Sequence, residues 1–175
     1  SSSPFTRSSF HADDDYKELL KKKIQLNKYC FMKAHKETYY INSKKEIIYN
    51  VIANIENYPT FLPWCIGARI IDTKNDSDVI IKKAELMISF KSFRESFVSE
   101  VILDKNNWTV NIVSNKKPFK LLEGCWIINE KKENCEVCFE IQFELRSIIL
   151  EKIIGLVFFQ SVKSIVKAFE EQCLK

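Results

Sequence analysis

The chain has 175 residues, of which 46% are hydrophobic and 29% charged, as is typical of one folded domain with a short appendage. It contains only three glycines and four prolines, which excludes a glycine-rich phosphate loop. The net charge of +4 lies mostly in residues 1–35, where seven Lys or Arg accompany four Asp or Glu. The remainder is almost neutral, so nucleic acid is not an expected partner. We expect residues 1–35 to be the remnant of a leader that includes a short amphipathic helix, and residues 36–175 to be the folded domain.

The first residues have the composition of a targeting segment. Residues 1–10 are rich in Ser and contain no acid, as in organellar transit peptides, and a processed remnant or a tail added for expression are the alternatives. Residues 15–29 begin with acids, continue into a run of lysines and carry an apolar stripe, which predicts a short amphipathic helix. Its lysines would either contact anionic lipid or form a solvated face.

The six cysteines are irregularly spaced, and a chain of this size can build a core without disulfides. Reduced thiols in a cytosol-like or matrix-like compartment are therefore expected. Cys135 and Cys138 lie three residues apart in a predicted strand, where they point to opposite faces and are poorly placed to chelate zinc. We expect these cysteines to be packing residues and expect no metal site. No stretch approaches the ~20 apolar residues of a membrane span.

The first elements of the domain are short. Residues 37–41 predict a strand, and Ser43 and Glu46 have the spacing of a capping box that opens a helix. This helix must end before Pro59, because the residue that precedes a proline is disfavoured in the helical region. Pro59 itself suits the first turn of a second, very short helix.

Residues 65–145 alternate between apolar and polar side chains and are divided by turns rich in Asn, Asp and Lys, so they predict antiparallel strands. The expected strands are 65–73, 78–90, 92–104, 108–115, 121–129 and 135–145. The last strand is the clearest, with an apolar face and a mostly charged or polar face.

The segment from Ser147 to Cys173 predicts a long helix with Ser147 as its N-cap. The element order predicts an α+β domain in which one curved antiparallel sheet wraps around the long C-terminal helix. A sheet that grips a helix often leaves space between them, so we expect a cavity lined by apolar and aromatic side chains.

Catalytic patterns are missing from the predicted domain. Both histidines, His11 and His35, precede it, which removes Ser-His-Asp and Cys-His pairs and the usual histidine metal sites from the domain. Glu85, Glu95 and Glu123 are the carboxylates that could point inward, either as an acid or as a hydrogen-bond acceptor for a polar head group. We therefore expect a binding protein and not an enzyme.

The segment Tyr58–Cys65 is the most distinctive part of the sequence, because two prolines alternate with its aromatic residues. Phe61, Leu62 and Trp64 could form an apolar lip at the mouth of the cavity that dips into a bilayer interface. The same side chains could instead plug one end of the sheet.

The residues of this segment, together with further segments along the chain, resemble those of a known family. It is carried by Val51–Tyr58, Phe61–Cys65, Ala84–Phe90, Glu95–Ser99, Pro118–Phe119, Leu122, Trp126, Cys135–Ser147 and Ala168–Glu170. Over residues 37–172 the chain resembles the mitochondrial coenzyme Q-binding proteins, a branch of the START-like, polyketide cyclase-like superfamily. Residues 88–90 depart from that pattern, because they read Ile-Ser-Phe where relatives more often have Val-Gly-Phe.

The resemblance implies a helix-grip fold and a bound ubiquinone or related polyprenyl lipid, with no catalytic cofactor. It further implies a lipid chaperone that supports respiratory electron transport and quinone biosynthesis, peripheral to the matrix side of the mitochondrial inner membrane. Bacterial members include proteins linked to ribosome association, so a ribosome-associated regulator is one alternative. A cyclase or dehydratase acting on a hydrophobic substrate is another, and it requires ionisable groups in the cavity. The oligomeric state is left open.

The ligand hypothesis selects apolar residues expected to line or gate the cavity. They are Phe61, Leu62, Trp64, Leu86, Phe90, Phe97, Trp126, Phe139, Phe143, Val157 and Phe158. Ordinary core packing is the alternative for each of them.

Overall fold

Seven antiparallel strands form a single sheet in the computed structural model, which describes residues 18, 33–90 and 93–175, without the side chains of 33 and 156–159. The strands are β1 Lys33–Ile41, β2 Cys65–Asp76, β3 Val79–Phe90, β4 Phe93–Asp104, β5 Thr109–Ser114, β6 Phe119–Glu130 and β7 Cys135–Leu145. Their order is β1-β7-β6-β5-β4-β3-β2, so β1 and β2 are the two edges. The expected helix at 15–29 lies outside the described residues, apart from residue 18.

The long helix, α2, spans Ile148–Cys173 and lies across the concave face of this sheet. Ser147 is its N-cap as predicted, because the Ser147 side chain accepts a hydrogen bond from the backbone N–H of Leu150 at 3.3 Å. At about 1.5 Å per residue the helix is roughly 39 Å long, enough to cross the whole sheet. The predicted helix-grip fold is confirmed.

The two sides of the sheet differ as the alternation in β7 predicts. Val137, Phe139 and Phe143 are buried on the inner face, whereas Glu140 is exposed on the outer face. The outer face is not uniformly wet, however, because Gln142 is buried there and donates a hydrogen bond from Nε2 to Glu123 Oε2 at 2.7 Å.

The connection between β1 and β2 differs from the sequence prediction. Helix α1, Lys45–Ala53, has Lys44 as its N-cap with no side-chain cap, so the predicted capping box is wrong. Ser43 lies one residue too early and its hydroxyl donates to the Cys173 carbonyl at 3.4 Å instead. The following 3₁₀ helix, Ile55–Thr60, contains Pro59 near its end and does not begin there.

The first strand also begins earlier than expected. β1 pairs with β7 from Lys33 onward, because the register continues from Ile41 back to Lys33 without a break. His35 therefore belongs to the sheet, which corrects the expectation that the domain contains no histidine. Its Nε2 lies against a carboxylate oxygen of Glu37 on the same strand. His11 lies outside the described residues.

Candidate ligand-binding cavity

The concave face of the sheet and α2 enclose a cavity of about 270 Å³. Its walls are almost entirely apolar, since they come from the inner-face residues of the strands and one side of the helix. In β3 the lining residues are Ala84, Leu86, Ile88 and Phe90, and in β4 they are Phe93, Glu95, Phe97, Ser99 and Val101. From α2 the lining residues are Ile154, Ser161, Val162, Ile165 and Phe169.

An aromatic cluster closes one end of the cavity. Trp126 stacks on Phe139 with ring centroids 4.2 Å apart, and Phe169 of α2 lies 4.9 Å from Trp126. Tyr58 and Phe61 each meet Phe169 edge to face at 5.2 Å. Such pairs contribute about 0.5–1.5 kcal/mol each beyond the area they bury, so they stabilise this end of the core.

Tyr58 also ties the closed end to α1. Its hydroxyl donates a hydrogen bond to the backbone carbonyl of Ile52, one of the carbonyls that the end of a helix leaves without an intrahelical partner. Desolvation by burial, with a smaller contribution from Cys65, raises the pKa of the Tyr58 phenol above its usual value. The phenol is therefore neutral and acts as a structural donor.

The opposite end of the cavity is formed by half-buried side chains. Here β3 ends at Phe90, β4 begins at Phe93 and β6 begins at Phe119, so three strand ends bring aromatic rings together. Trp64 packs edge to face on Phe90 at 5.1 Å between ring centroids. This is the open end, because the rings of Trp64, Phe90, Phe93 and Phe119 are all only partly buried. At the other end four of the five rings are buried, namely Tyr58, Trp126, Phe139 and Phe169.

Trp64 is held in an unusual backbone conformation. Its φ is 63°, in the left-handed region that costs a non-glycine residue roughly 1–3 kcal/mol. Its carbonyl accepts a hydrogen bond from Ser89 N at 2.8 Å, which anchors the segment to the end of β3. The surrounding contacts therefore hold a strained residue at the open end.

Strand β4 contributes two polar side chains to the cavity lining, and each of them can form hydrogen bonds with a ligand. Ser99 is only 3% exposed and lies beyond Phe97 from the open end, and Glu95 is half-buried nearer that end. About 13 Å separates them along the strand at ~3.3 Å per residue, so one small head group cannot contact both. The cavity thus has a hydroxyl in its interior and a carboxylate towards its mouth.

The other two carboxylates that were considered for the site lie elsewhere. Glu85 forms an ion pair with Arg69, with 2.8 Å between Glu85 Oε1 and Arg69 Nε, on the outer face of the sheet. Glu123 also faces outward, because its strand neighbours Leu122 and Gly124 line the cavity. Of the three, Glu95 is the one that the cavity includes.

Most of the residues selected from the sequence are brought together by the structure. Leu62, Trp64, Leu86, Phe90, Phe97, Trp126, Phe139 and Phe143 line the cavity. Phe61 packs on Tyr58 and Phe169 at the closed end, so it plugs the sheet while Leu62 and Trp64 face the lumen. The side chains of Val157 and Phe158 lie outside the described residues. Contact of these residues with a ligand stays a prediction.

Sequence reasoning missed several lining residues, and Phe119 shows why. Strict alternation from Leu122 would place position 119 on the outer face, but the β6–β7 register shifts between Phe119 and Leu121. The irregularity turns Phe119 inward, where it lies 5.1 Å from Phe97. No local sequence signal marks this shift.

The five cysteines in the described part of the chain are all free thiols. Cys135 is buried and its Sγ donates to the Ser43 carbonyl at 3.3 Å, while Cys138 lies on the other face of β7. Burial raises the pKa of the Cys135 thiol, which makes it a weak nucleophile.

Among residues 18, 33–90 and 93–175 no cluster of His, Cys, Asp or Glu has the arrangement of a metal site. No described helix is long and apolar enough to cross a membrane.

A curved sheet that grips a long helix around an apolar cavity defines a helix-grip domain. Residues 42–170 match the family described as polyketide cyclase / dehydrase and lipid transport, and the chain belongs to this family.

Relatives within the family carry different functional names. The ribosome association toxin RatA of Rickettsia prowazekii is 32% identical over 144 residues, which cover 81% of this chain and 96% of the relative. The mitochondrial coenzyme Q-binding protein COQ10 homolog B of Xenopus laevis is 28% identical over 131 residues, covering 73% of this chain and 52% of the relative. The sequence relatives therefore include both a ribosome-associated and a quinone-binding protein.

Solved structures show the same fold. The 18 kDa protein CC1736 of Caulobacter crescentus aligns with a TM-score of 0.69 at 23% identity, over 81% of this chain and 95% of that one. The ZhuI aromatase/cyclase of a Streptomyces species aligns with a TM-score of 0.70 at 11% identity, over 82% and 94%. At these identities the likeness supports the fold alone.

Proposed function

We propose that the protein binds ubiquinone, or a related polyprenyl lipid, in the cavity between the sheet and α2 and carries it as a lipid chaperone. The observation that carries this proposal is an almost wholly apolar cavity of about 270 Å³ with one open end. A charged metabolite would lose its hydration in such a cavity without gaining partners, whereas an apolar chain would lose nothing.

The energetics suit a carrier that must release its ligand. Burial of apolar surface contributes about 25 cal/mol per Å² relative to water, but a lipid tail in a bilayer is already out of water. Transfer from the bilayer to the cavity is therefore nearly neutral. The cavity, at about 270 Å³, lies just below the range of about 300–1,000 Å³ that is usual for ligand sites, so it would enclose a head group with a short part of the tail. The remaining tail would leave through the open end beside Trp64 and Phe90.

Ser99 gives the interior a means of recognising a quinone. Its hydroxyl can donate a hydrogen bond to a quinone carbonyl, and it can accept one from a quinol hydroxyl. Because Ser99 is almost fully buried, water does not compete well at this position. A pure hydrocarbon would leave the hydroxyl without this bond, so Ser99 favours a ligand with an oxygen at one end.

The family relationship supports the same ligand class, because the Xenopus relative is named as a coenzyme Q-binding protein. We propose binding without a reaction of its own. The cyclase alternative requires an ionisable group in the cavity, and Glu95 is such a group. The aromatic residues around Glu95 fit ligand binding as well as they fit catalysis, so the experiment below includes this alternative.

The test is extraction of the purified protein with organic solvent, after incubation with vesicles that contain ubiquinone, followed by mass spectrometry. We expect quinone in the extract, and we expect the Ser99→Ala variant to retain less of it than wild type. Ser96→Ala is the matched control, because Ser96 is exposed on the same strand. Recovery of no quinone or other prenyl lipid would refute the proposal. Chemical conversion of an added polyketide that Glu95→Gln abolishes would support the cyclase instead.

Ribosome association is the second candidate, because a relative with that name matches across 96% of its length. Sedimentation of the protein with purified ribosomal subunits tests it directly. Binding to subunits by a protein that extracts without lipid would favour this candidate over the carrier.

We also propose that the protein works in mitochondria, the location that the name of the Xenopus relative states for that relative, and that it is peripheral to the matrix side of the inner membrane. Fractionation of cells that express the full chain with a C-terminal tag tests this location. Recovery of the protein in the cytosolic fraction alone would contradict it.

A further inference from the structure

Three isoleucines at the start of α2 are exposed and do not belong to the buried core. Ile148 and Ile149 are each 72% exposed and Ile153 is 46% exposed. Single exposed apolar residues are common on protein surfaces, but three within two helical turns form a continuous apolar surface, which we call the isoleucine patch. Exposed apolar surfaces of this kind are typical of sites that contact a membrane or another protein.

The isoleucine patch lies beside the open end of the cavity. Arg146, just before α2, donates from its backbone N to the Pro118 carbonyl at 2.9 Å and from Nε to the Phe119 carbonyl at 3.0 Å. Its Nη2 donates to the Asn115 carbonyl at 2.8 Å. These bonds fix the turn 115–119 against the start of the helix. Pro118, Phe119 and Ile154 all line the cavity, so the patch and the cavity mouth are neighbours.

The surroundings of the patch are basic. Residues 115–120 and 144–153 contain five Lys or Arg and two Glu, a surplus of +3, whereas residues 36–175 as a whole have a surplus of only +1. Lys116 and Lys117 are exposed in the turn, and Lys152 is exposed on α2. Lys120 forms an ion pair with Glu144, with 3.2 Å between Lys120 Nζ and Glu144 Oε1. The remaining charge is available to an anionic partner.

We infer that the isoleucine patch and the lysines around it form a docking surface for an anionic lipid bilayer. A bilayer interface takes apolar side chains below its head groups, and anionic head groups attract the adjacent lysines. RNA fits this surface less well, because recognition of single-stranded RNA uses aromatic rings for stacking and the exposed apolar side chains here are aliphatic. A membrane surface is the partner that matches both the apolar and the basic component.

This inference extends the proposed function, since docking through the patch turns the cavity mouth towards the membrane that holds the ligand. Its test nevertheless needs no ligand. Ile148 and Ile149 lie outside the cavity lining, so their substitution leaves the lipid-binding residues intact.

The experiment measures binding of the full chain to vesicles of phosphatidylcholine alone and to vesicles in which part of the lipid is replaced by phosphatidylglycerol. The test variants are Ile148→Ser with Ile149→Ser, and Lys116→Gln with Lys117→Gln. The matched control is Ile71→Ser with Ile80→Ser, because these isoleucines of β2 and β3 are 46% and 38% exposed and lie towards the strand ends opposite Trp64 and Phe90. A parallel measurement uses ribosomal RNA as the probe.

We expect wild type and the control pair to prefer the phosphatidylglycerol vesicles. The isoleucine pair should bind them at least about tenfold more weakly, and the lysine pair should lose the preference for anionic lipid. The inference would be overturned if wild type did not bind anionic vesicles, or if the control pair lost as much vesicle binding as the isoleucine pair. It would also be overturned if wild type bound ribosomal RNA but did not bind vesicles. Binding of a soluble short-chain ubiquinone, measured separately, distinguishes failure of the docking surface from failure of the proposed function.

Discussion

Gly124 offers the sharpest test of the cavity, because it lies in the wall at a position where any side chain must enter the lumen. A Cβ at Gly124 would lie 3.5 Å from Ile112 Cδ1 and 3.7 Å from Phe139 Cε2, which are ordinary van der Waals distances. The remaining atoms of a leucine would therefore project into the cavity. Gly67→Leu is the matched control: a Cβ there would lie 3.5 Å from Met87 Cβ, on the outer face of the sheet.

The expected loss of affinity in Gly124→Leu follows from the displaced volume. Leucine adds three carbons beyond Cβ, which displace about three ligand carbons worth ~0.8 kcal/mol each. The sum is about 2.4 kcal/mol, or about a 50-fold increase in Kd. Stability should not fall, because the leucine fills empty space and replaces a glycine that costs a strand about 0.5–1 kcal/mol. Gly67→Leu should leave the Kd unchanged.

The assay is quenching of tryptophan fluorescence by a short-chain ubiquinone, since Trp64 and Trp126 both line the cavity. Thermal unfolding of the same samples reports on the fold. Unchanged affinity in Gly124→Leu would show that the ligand does not occupy this cavity. A stability loss of 3 kcal/mol or more would show that the space beside Gly124 is already filled, as in an overpacked core.

Three further predictions concern the supports of the cavity. Ser147→Ala should lower the free energy of unfolding by about 1 kcal/mol in denaturant titration, because the Leu150 N–H loses its cap; an unchanged value would contradict the capping role. Tyr58→Phe should cost about 1–3 kcal/mol by the same measurement, since the Ile52 carbonyl loses its donor, and a neutral result would show that water replaces the hydroxyl. Burial raises the pKa of the Cys173 thiol from about 9 to about 11, so the unfolded chain loses this proton first and stability should fall as the pH rises from 9 to 11. Cys173→Ala should show a shallower fall over that range, and an identical slope would remove this thiol as a cause.

The local parts of the fold could be predicted because each depends on neighbours in the chain. The alternation in β7 and the N-cap at Ser147 need only a few residues to act, and both predictions hold. The capping box at Ser43 failed for the opposite reason. The Ser43 hydroxyl finds a partner in Cys173, 130 positions away, and no local pattern reports a bond of that kind.

The candidate site likewise contains some residues that the sequence predicts and others that it does not. Leu86, Phe90 and Phe97 could be selected because inner-face residues of a gripping sheet must face the helix. Phe61 and Leu62 are adjacent and equally apolar, yet one plugs the closed end and the other lines the lumen. That choice depends on how the 3₁₀ helix meets α2.

By itself, the sequence determined the sheet, the long helix and the apolar character of the surface between them, since periodicity and side-chain chemistry are local properties. The tertiary structure alone decided which end of that surface is open and that Glu95 and Ser99 face the interior while Glu85 and Glu123 do not. It also decided that the basic turn at Lys116 and Lys117 lies against the exposed start of α2. These features depend on strand register and on hydrogen bonds between distant segments, which only the packed chain brings together.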